Sequence, residues 1–253
     1  MARLFHRLRM RFLFNKKFNK YLLYAIGEVI ILILGIVIAL QVNNWNEMRQ
    51  RRILEISILE SLKSDLEQDI EGWQYDKSLH KDVLESIEFV SDHIENDLPH
   101  TDTLNFHFLN ATLVSYFSFH SGALETLKST GINIISNEEL RKEIVDLYTY
   151  WFDYKKYLTS HLNEYHFYST QQIFNTRFIE GHYFDDPSTT DYWGDGAMIP
   201  LDYESLLDDN EYKYFLLTYK NDTSYYLYEL LQSERRVKAL IAEIEAEIKK
   251  LKG

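Results

Sequence analysis

Glu28 is the residue whose setting most invites chemistry. It is the one charged side chain between Tyr21 and Val42, in YLLYAIGEVIILILGIVIALQV. A carboxylate inside an apolar span is costly to keep ionised, and such groups mark ion paths, proton relays or contacts with another helix. On an ideal helix Glu28, Gly35, Ala39 and Asn46 fall within about 20° of one line. Gly35 and Ala39 make a small-xxx-small pair, which lets two backbones approach closely. That line reads as an oligomer seam, in which Glu28 snorkels or shares a proton with its copies. Two alternatives stand beside it. One is an ion-binding carboxylate in a stator-like subunit driven by a partner channel protein. The other is an acid that docks to a different membrane protein.

The remaining groups point to no reaction. His161 and His166 are five apart and diverge on a helix, so His161 and Glu164 alone could share a face. There is no HExxH, and no Glu stands three residues before a His, so the zinc-protease and di-iron bundle signatures are missing. Asp185, Asp186, Asp191 and Asp195 gather acids in one loop, without the ligand alternation or closing Glu of an EF-hand. No P-loop, GxSxG, GxGxxG or cysteine nucleophile occurs. No enzyme activity and no cofactor are expected. Asn110-Ala-Thr112 and Asn221-Asp-Thr223 match a glycosylation tripeptide. Aromatic residues crowd the stretch from Tyr148 to Tyr168, including Tyr150, Trp151, Tyr154, Tyr157, Tyr165 and Phe167. They could line a pocket or an interface, but at helical spacing they read as bundle core with hydroxyls at the rim.

The element that positions Glu28 is the span itself. Tyr21–Val42 is roughly 33 Å long as a helix, the thickness of a hydrocarbon core. Its Leu, Ile and Val residues, at about −0.3 to −0.6 kcal/mol each, outweigh one acid costing about +3 kcal/mol. Arg3, Arg7, Arg9, Arg11, Lys16, Lys17 and Lys20 precede it with no acid among them. By the positive-inside rule that end stays in the cytoplasm and everything after the span lies outside. Arg3, Arg7 and Arg11 are four apart, as are Leu4, Leu8 and Phe12, the spacing of an amphipathic helix on an anionic leaflet. Arg49, Arg51 and Arg52 beyond the span are diluted by Glu47 and Glu55. A cleaved signal peptide does not fit, since the run is too long and no small-x-small site precedes NNWN. The segment is a signal anchor, with Trp45 at the interface.

Charge agrees. The chain's net charge is −12, and with seven cations before the span and one acid within it, the part beyond Glu28 carries −18. Such a domain has nothing to neutralise phosphates and is no nucleic-acid binder. It is long enough for one core. Cysteine is absent, so disulfides are excluded. Three prolines and nine glycines, against 45% hydrophobic residues, describe a folded and mostly helical chain.

Periodicity orders the rest. Ile56, Leu59, Leu62, Leu66, Ile70 and Trp73 step by three and four, and after a stutter at Gly72 the stripe resumes through Leu79, Val83, Ile87, Val90 and Ile94. No breaker separates this helix from the span, so one continuous rod of about 100 Å is expected from Tyr21 to Asp97. Phe106–Phe119 reads as a short buried helix. Ser121 is a plausible N-cap for the next, with Gly131 as its stop. Ser136 and Glu139 form a capping box. It opens a helix with a heptad through Leu140, Ile144, Leu147, Trp151, Tyr154, Leu158, Leu162 and Tyr165, fading near Phe178. Residues 181–201 are irregular, and Glu211–Leu251 is a long helix antiparallel to the third that returns the C-terminus to the stalk. The fold class is all-α: a transmembrane helix continuing into an extracytoplasmic bundle of three long and about two short helices. The divisions are 1–20 basic and cytoplasmic, 21–42 transmembrane, 43–98 stalk and first bundle helix, and 99–253 the remaining domain.

Three stretches together resemble a known family: FNKYLLYAIGEVIILILGIVIALQVNNWNE at Phe18–Glu47, LETLKSTGINIISNEELR at Leu124–Arg141, and the acidic last helix ending KALIAEIEAEI. They are similar to the bacterial domain-of-unknown-function family 6090 of short single-pass membrane proteins. The resemblance implies a bacterial membrane protein and brings no catalytic or ligand residues. The function expected is a scaffold or interaction module of the inner membrane. Its partners would be the lipid bilayer, further copies of itself and a membrane protein; a ligand sensor would need a separate signalling partner.

Overall fold

A computed structural model describes residues 16–181 and 196–253 of the chain. Two compact units divide at Glu55 and Ile56. In the first, helix α1 (Lys16–Glu95) begins. Along Tyr21–Val42 its side chains are exposed on every side, Ile31 at 72% and Leu23 at 75%. This is one helix long and apolar enough to cross a membrane.

In the second unit α1 continues with its stripe turned inward. Leu59, Leu62, Leu66, Trp73, Val83, Ile87, Val90 and Ile94 are all buried, as the three-four spacing predicts. The helix stops at Glu95, before Pro99, with Asp97 at positive φ. Helix α2 covers Asp102–Asn110, and residues 113–120 form an irregular segment rather than a helix. Aromatic and β-branched residues dominate that stretch and are weak helix formers. Phe117 turns inward there to stack on Trp73 at 5.4 Å.

Helix α3 (Gly122–Thr130) ends at Gly131, whose φ of 99° suits a residue without Cβ. Ser121 is its N-cap residue but makes no side-chain cap bond; Asp65 of α1 instead accepts from the Ala123 N–H at 2.9 Å. A single 3₁₀ turn, Ile132–Ile134, leads to α4 (Glu138–Asp146). The cap there is Asn137, whose Oδ1 accepts from Leu140 N, one residue later than the expected box. A π-helical turn at Leu147–Trp151 joins α4 to α5 (Phe152–Ser169), and a second at Thr170–Phe174 leads to the short α6 (Asn175–Arg177).

The chain then forms β1 (Phe178–Gly181), antiparallel to β2 (Ala197–Pro200), pairing Phe178 with Pro200 and Gly181 with Ala197. Residue spacing does not predict these strands at the two edges of the 181–201 segment. After α7 (Tyr203–Leu207), helix α8 (Asn210–Lys252) closes the domain. Asp209 caps it through Glu211 N and Tyr212 N, both 3.0 Å, and Arg177 clamps Asp209. The α8 helix runs antiparallel to α1 and to α4–α5. Lys220 reaches Glu88, Lys77 reaches Glu234, and Lys252 reaches Glu60 at 2.7 Å. Almost all described secondary structure is helix, in keeping with an all-α class.

Candidate functional site

In the first unit Glu28, Gly35, Ala39 and Asn46 lie on one unbroken helix and all four are exposed. A Cβ added at Gly35 would meet nothing within 4 Å, so the close approach it permits is unused within the chain. Of the basic residues, Lys16, Lys17 and Lys20 fall in the first turns of α1, while Arg3, Arg7 and Arg11 lie outside the described residues. The acids Asp185, Asp186, Asp191 and Asp195 also lie outside them.

In the second unit His161 and His166 do not face one another. His161 is exposed and faces Asp222, whereas His166 turns towards the Phe174 ring. Among the described residues no three acids or histidines converge on one point.

The domain's chemistry lies in a buried polar layer that periodicity does not single out. Asp76 and His80 are one turn apart on α1 and both converge on Ser115 of the irregular segment 113–120. His80 Nε2 is 3.0 Å from Ser115 Oγ, which also bonds the Asp76 carboxylate. Asn163 of α5 donates to the Ser115 carbonyl at 3.3 Å. Tyr226 of α8 lays its ring 4.6 Å from His80, with its hydroxyl beside Ser115 but without a well-formed bond. Helices α1 and α5 are thereby hydrogen-bonded to Ser115 of one irregular segment, and α8 packs the Tyr226 ring against His80. Burial pushes the Asp76 carboxyl up to about 6 against the opposing Ser115 bond, and pushes His80 down to about 4. The triad logic of nucleophilic hydrolysis needs an acid on the far nitrogen of the histidine. Here Asp76 bonds the serine instead, and Nδ1 of His80 has no hydrogen-bond partner among the described residues. The layer is arranged to hold, not to attack.

Next to it on α5 and α8 is an ion pair. Lys155 is fully buried and its ammonium meets Glu229. Burial depresses the Lys155 pKa, and the Glu229 hydrogen bond opposes that fall. The heptad places Trp151, Tyr154 and Leu158 inward, and here the structure differs. The π turn at Leu147–Trp151 adds one residue to the helix and rotates the C-terminal remainder by about 100°. Phe152, Lys155 and Thr159 are buried in consequence, and of the heptad residues Trp151, Tyr154, Leu158 and Tyr165 become half-buried while Leu162 stays buried. Several tyrosines read as core are on the surface for the same reason: Tyr150, Tyr157 and Tyr168 are exposed, with Phe167. Tyr148, ahead of the turn's end, stays inside.

A second acid-lined contact joins α1 to the turn before α3. The Asp69 carboxylate, almost wholly buried, accepts from His120 N at 2.8 Å and lies 2.7 Å from His120 Nδ1. Burial raises the Asp69 pKa against those bonds.

The family model described as a family of unknown function, DUF6090, matches residues 28–185. The chain belongs to that family. The DUF6090 match opens on Glu28 and takes in Asp76, His80, Ser115 and Lys155, whereas Tyr226 and Glu229 come from α8 beyond it. No curated protein and no solved structure matches the chain. For DUF6090 the fold and the site geometry therefore carry the functional argument.

Proposed function

We propose that this DUF6090 member is a single-pass protein of the bacterial inner membrane, with its N-terminus in the cytoplasm and its helical domain outside. It acts as a non-enzymatic scaffold or interaction module that self-associates through the span. The observation that carries the reading is the fully exposed apolar girth of α1 from Tyr21 to Val42. In water that surface would far exceed the few hundred Å² a soluble monomer tolerates as one patch; in lipid it needs no cover. The cations before the span set the direction of insertion, and the buried polar layer has the geometry of a fastening.

Reporter fusions at the C-terminus test the orientation. Alkaline phosphatase fused there is expected to be active and a cytosol-dependent fluorescent protein dark; the reverse pattern would refute it. Cross-linking through Ala39→Cys tests the seam, since the chain has no cysteine of its own. Glu28→Gln and Gly35→Ile are each expected to weaken that cross-link, and a yield untouched by both would sink the seam. An ion-coupled role for Glu28 would appear as lost function with the cross-link intact.

A further inference from the structure

We infer that Arg49 and Arg52, with Trp45 one turn below them, form a phosphate-binding face that holds an anionic phospholipid headgroup in the leaflet from which α1 emerges. The inference rests on the reading of Tyr21–Val42 as a membrane span. Trp45, Arg49 and Arg52 are spaced by four and three residues on one unbroken helix, so they fall within about 60° of arc. All three are exposed, Trp45 at 63%. Their Cα atoms stand about 5, 10 and 15 Å beyond Val42. The polar headgroup layer there is about 5–7 Å thick. Cα–Cβ bonds tilt towards the N-terminus of a helix, here the side of the span, so both arginine side chains lean back over that layer. The indole lies at its floor, where Trp is favoured.

Along the sequence the charges near these arginines are mixed, but round the helix they separate. Glu47 lies about 140–160° away from Arg49 and Arg52, and its carboxylate accepts from Asn43 Nδ2 at 2.7 Å. Glu55, on the turn after Arg52, is buried and does not join the outer face. Arg51 stands four residues from each of these acids and on their side of the helix. The face left over presents two guanidiniums and an indole. Guanidinium forks fit phosphate oxygens two at a time, and at this depth the phosphates are those of lipid. A zwitterionic headgroup would bring its own ammonium against the two cations, whereas an anionic one brings only the phosphate. Insertion gives no reason for cations on this flank, since the N-terminal cluster directs it. The line of Glu28, Gly35, Ala39 and Asn46 is centred about 90° round the helix, so pairing of two spans leaves the arginine face turned to lipid.

The test uses the full chain in vesicles of one composition, one part phosphatidylglycerol to four of phosphatidylcholine. Dibrominated acyl chains are placed on the phosphatidylglycerol, or in equal amount on the phosphatidylcholine. Bromine quenches an indole at short range, and of the chain's four tryptophans the signal lost in Trp45→Phe belongs to Trp45. Brominated phosphatidylglycerol is expected to quench Trp45 about twofold or more strongly than brominated phosphatidylcholine. Arg49→Gln combined with Arg52→Gln is expected to bring the two to parity, and Arg51→Gln to leave the preference in place. Parity in the parent chain, a preference that survives the double variant, or an equal loss in Arg51→Gln would overturn the inference while leaving the span intact. Inorganic phosphate in place of chloride at equal ionic strength is expected to change nothing; a preference lost there would overturn it in favour of a free anion. Trp45 quenched by neither lipid would overturn the span itself, and the inference with it.

Discussion

His80 Nε2 lies 3.0 Å from Ser115 Oγ, while Nδ1 of the same ring, equally buried, finds no partner among the described residues. The Ser115 hydroxyl donates to Asp76, so it accepts from His80, and the arrangement assigns the proton to Nε2. The bare Nδ1 is then a lone pair rather than a stranded donor. Protonating it would bury an imidazolium beside nothing that accepts, which is why the ring stays neutral to about pH 4.

This layer gives stability a pH dependence with two opposed limbs. Below the ordinary histidine value of 6.5 the unfolded chain takes up a proton that folded His80 refuses. The His80 contribution is present above about pH 6.5 and is lost as pH falls towards 4. Asp76 binds its proton more tightly when folded, up to about 6 against an ordinary 3.8. Its contribution is present below the ordinary value and lost as pH rises through 6. Between pH 4 and 6.5 the two largely offset one another. Asp76→Asn removes one limb. It is expected to be more stable than wild type at pH 7.5 by about 2 kcal/mol, and to lose stability steadily on acidification. Denaturant melts at pH 7.5 and 4.5 decide, and a wild-type profile in the variant refutes the account.

Lys155 and Glu229 should behave as a buried pair. Glu229→Gln leaves an ammonium facing a neutral amide and is expected to cost about 3 kcal/mol. Replacing both residues by Met is expected to recover most of that loss, because no charge is then stranded. Thermal melts of the three variants are the measurement; a double variant no better than the single would contradict the pair.

The turn before α3 is fixed from across the domain. Asp65→Ala frees the Ala123 N–H and is expected to cost about 1 kcal/mol, the usual value of a lost N-cap. Ser121→Ala, at the nominal cap position, is expected to cost far less because that side chain makes no cap bond. Equal losses in the two variants would reverse the assignment.

The π turn can be tested by deletion. Removing Thr149, exposed within Leu147–Trp151, lets the turn become ordinary α-helix and leaves Phe152, Lys155 and Thr159 facing inward. Removing Tyr157, outside it, rotates the rest of α5 and is expected to unfold the domain. Hydrogen exchange on α5 separates the outcomes, and similar losses for the two deletions would show that the extra residue is not absorbed at the turn.

Much of the fold is legible in residue spacing, for identifiable reasons. The α1 stripe from Leu59 to Ile94 is read correctly because three-and-four spacing holds on both sides of the stutter at Gly72 and no breaker interrupts the helix. The heptad after Leu147 misleads in part because a π turn consumes one residue without any breaker to announce it: Trp151, Tyr154 and Leu158 become half-buried, while Leu162 stays inside. The polar layer is hidden for a different reason. Asp76, His80, Ser115 and Tyr226 come from three separate stretches and share no spacing, so only the packing of α1, α8 and the irregular segment 113–120 brings them together. One signal is present in the sequence: an aspartate and a histidine at i and i+4 that flank the buried Leu79. Local chemistry misassigns the caps, since Asp65 reaches its helix from across the fold and Asn137 stands one residue past the serine expected.

The ion pairs of Lys63 with Glu245 and Lys252 with Glu60 bear on how the protein is made. Helix α8 is the wall against which the beginning of the domain lies, so Leu59, Leu62 and Leu66 stay uncovered until its last turns have been made. A nascent chain of this protein cannot mature piece by piece from its amino end. It must be kept from sticking to its neighbours until α8 has been made, and a premature stop anywhere in α8 yields an open, adhesive fragment rather than a smaller working domain.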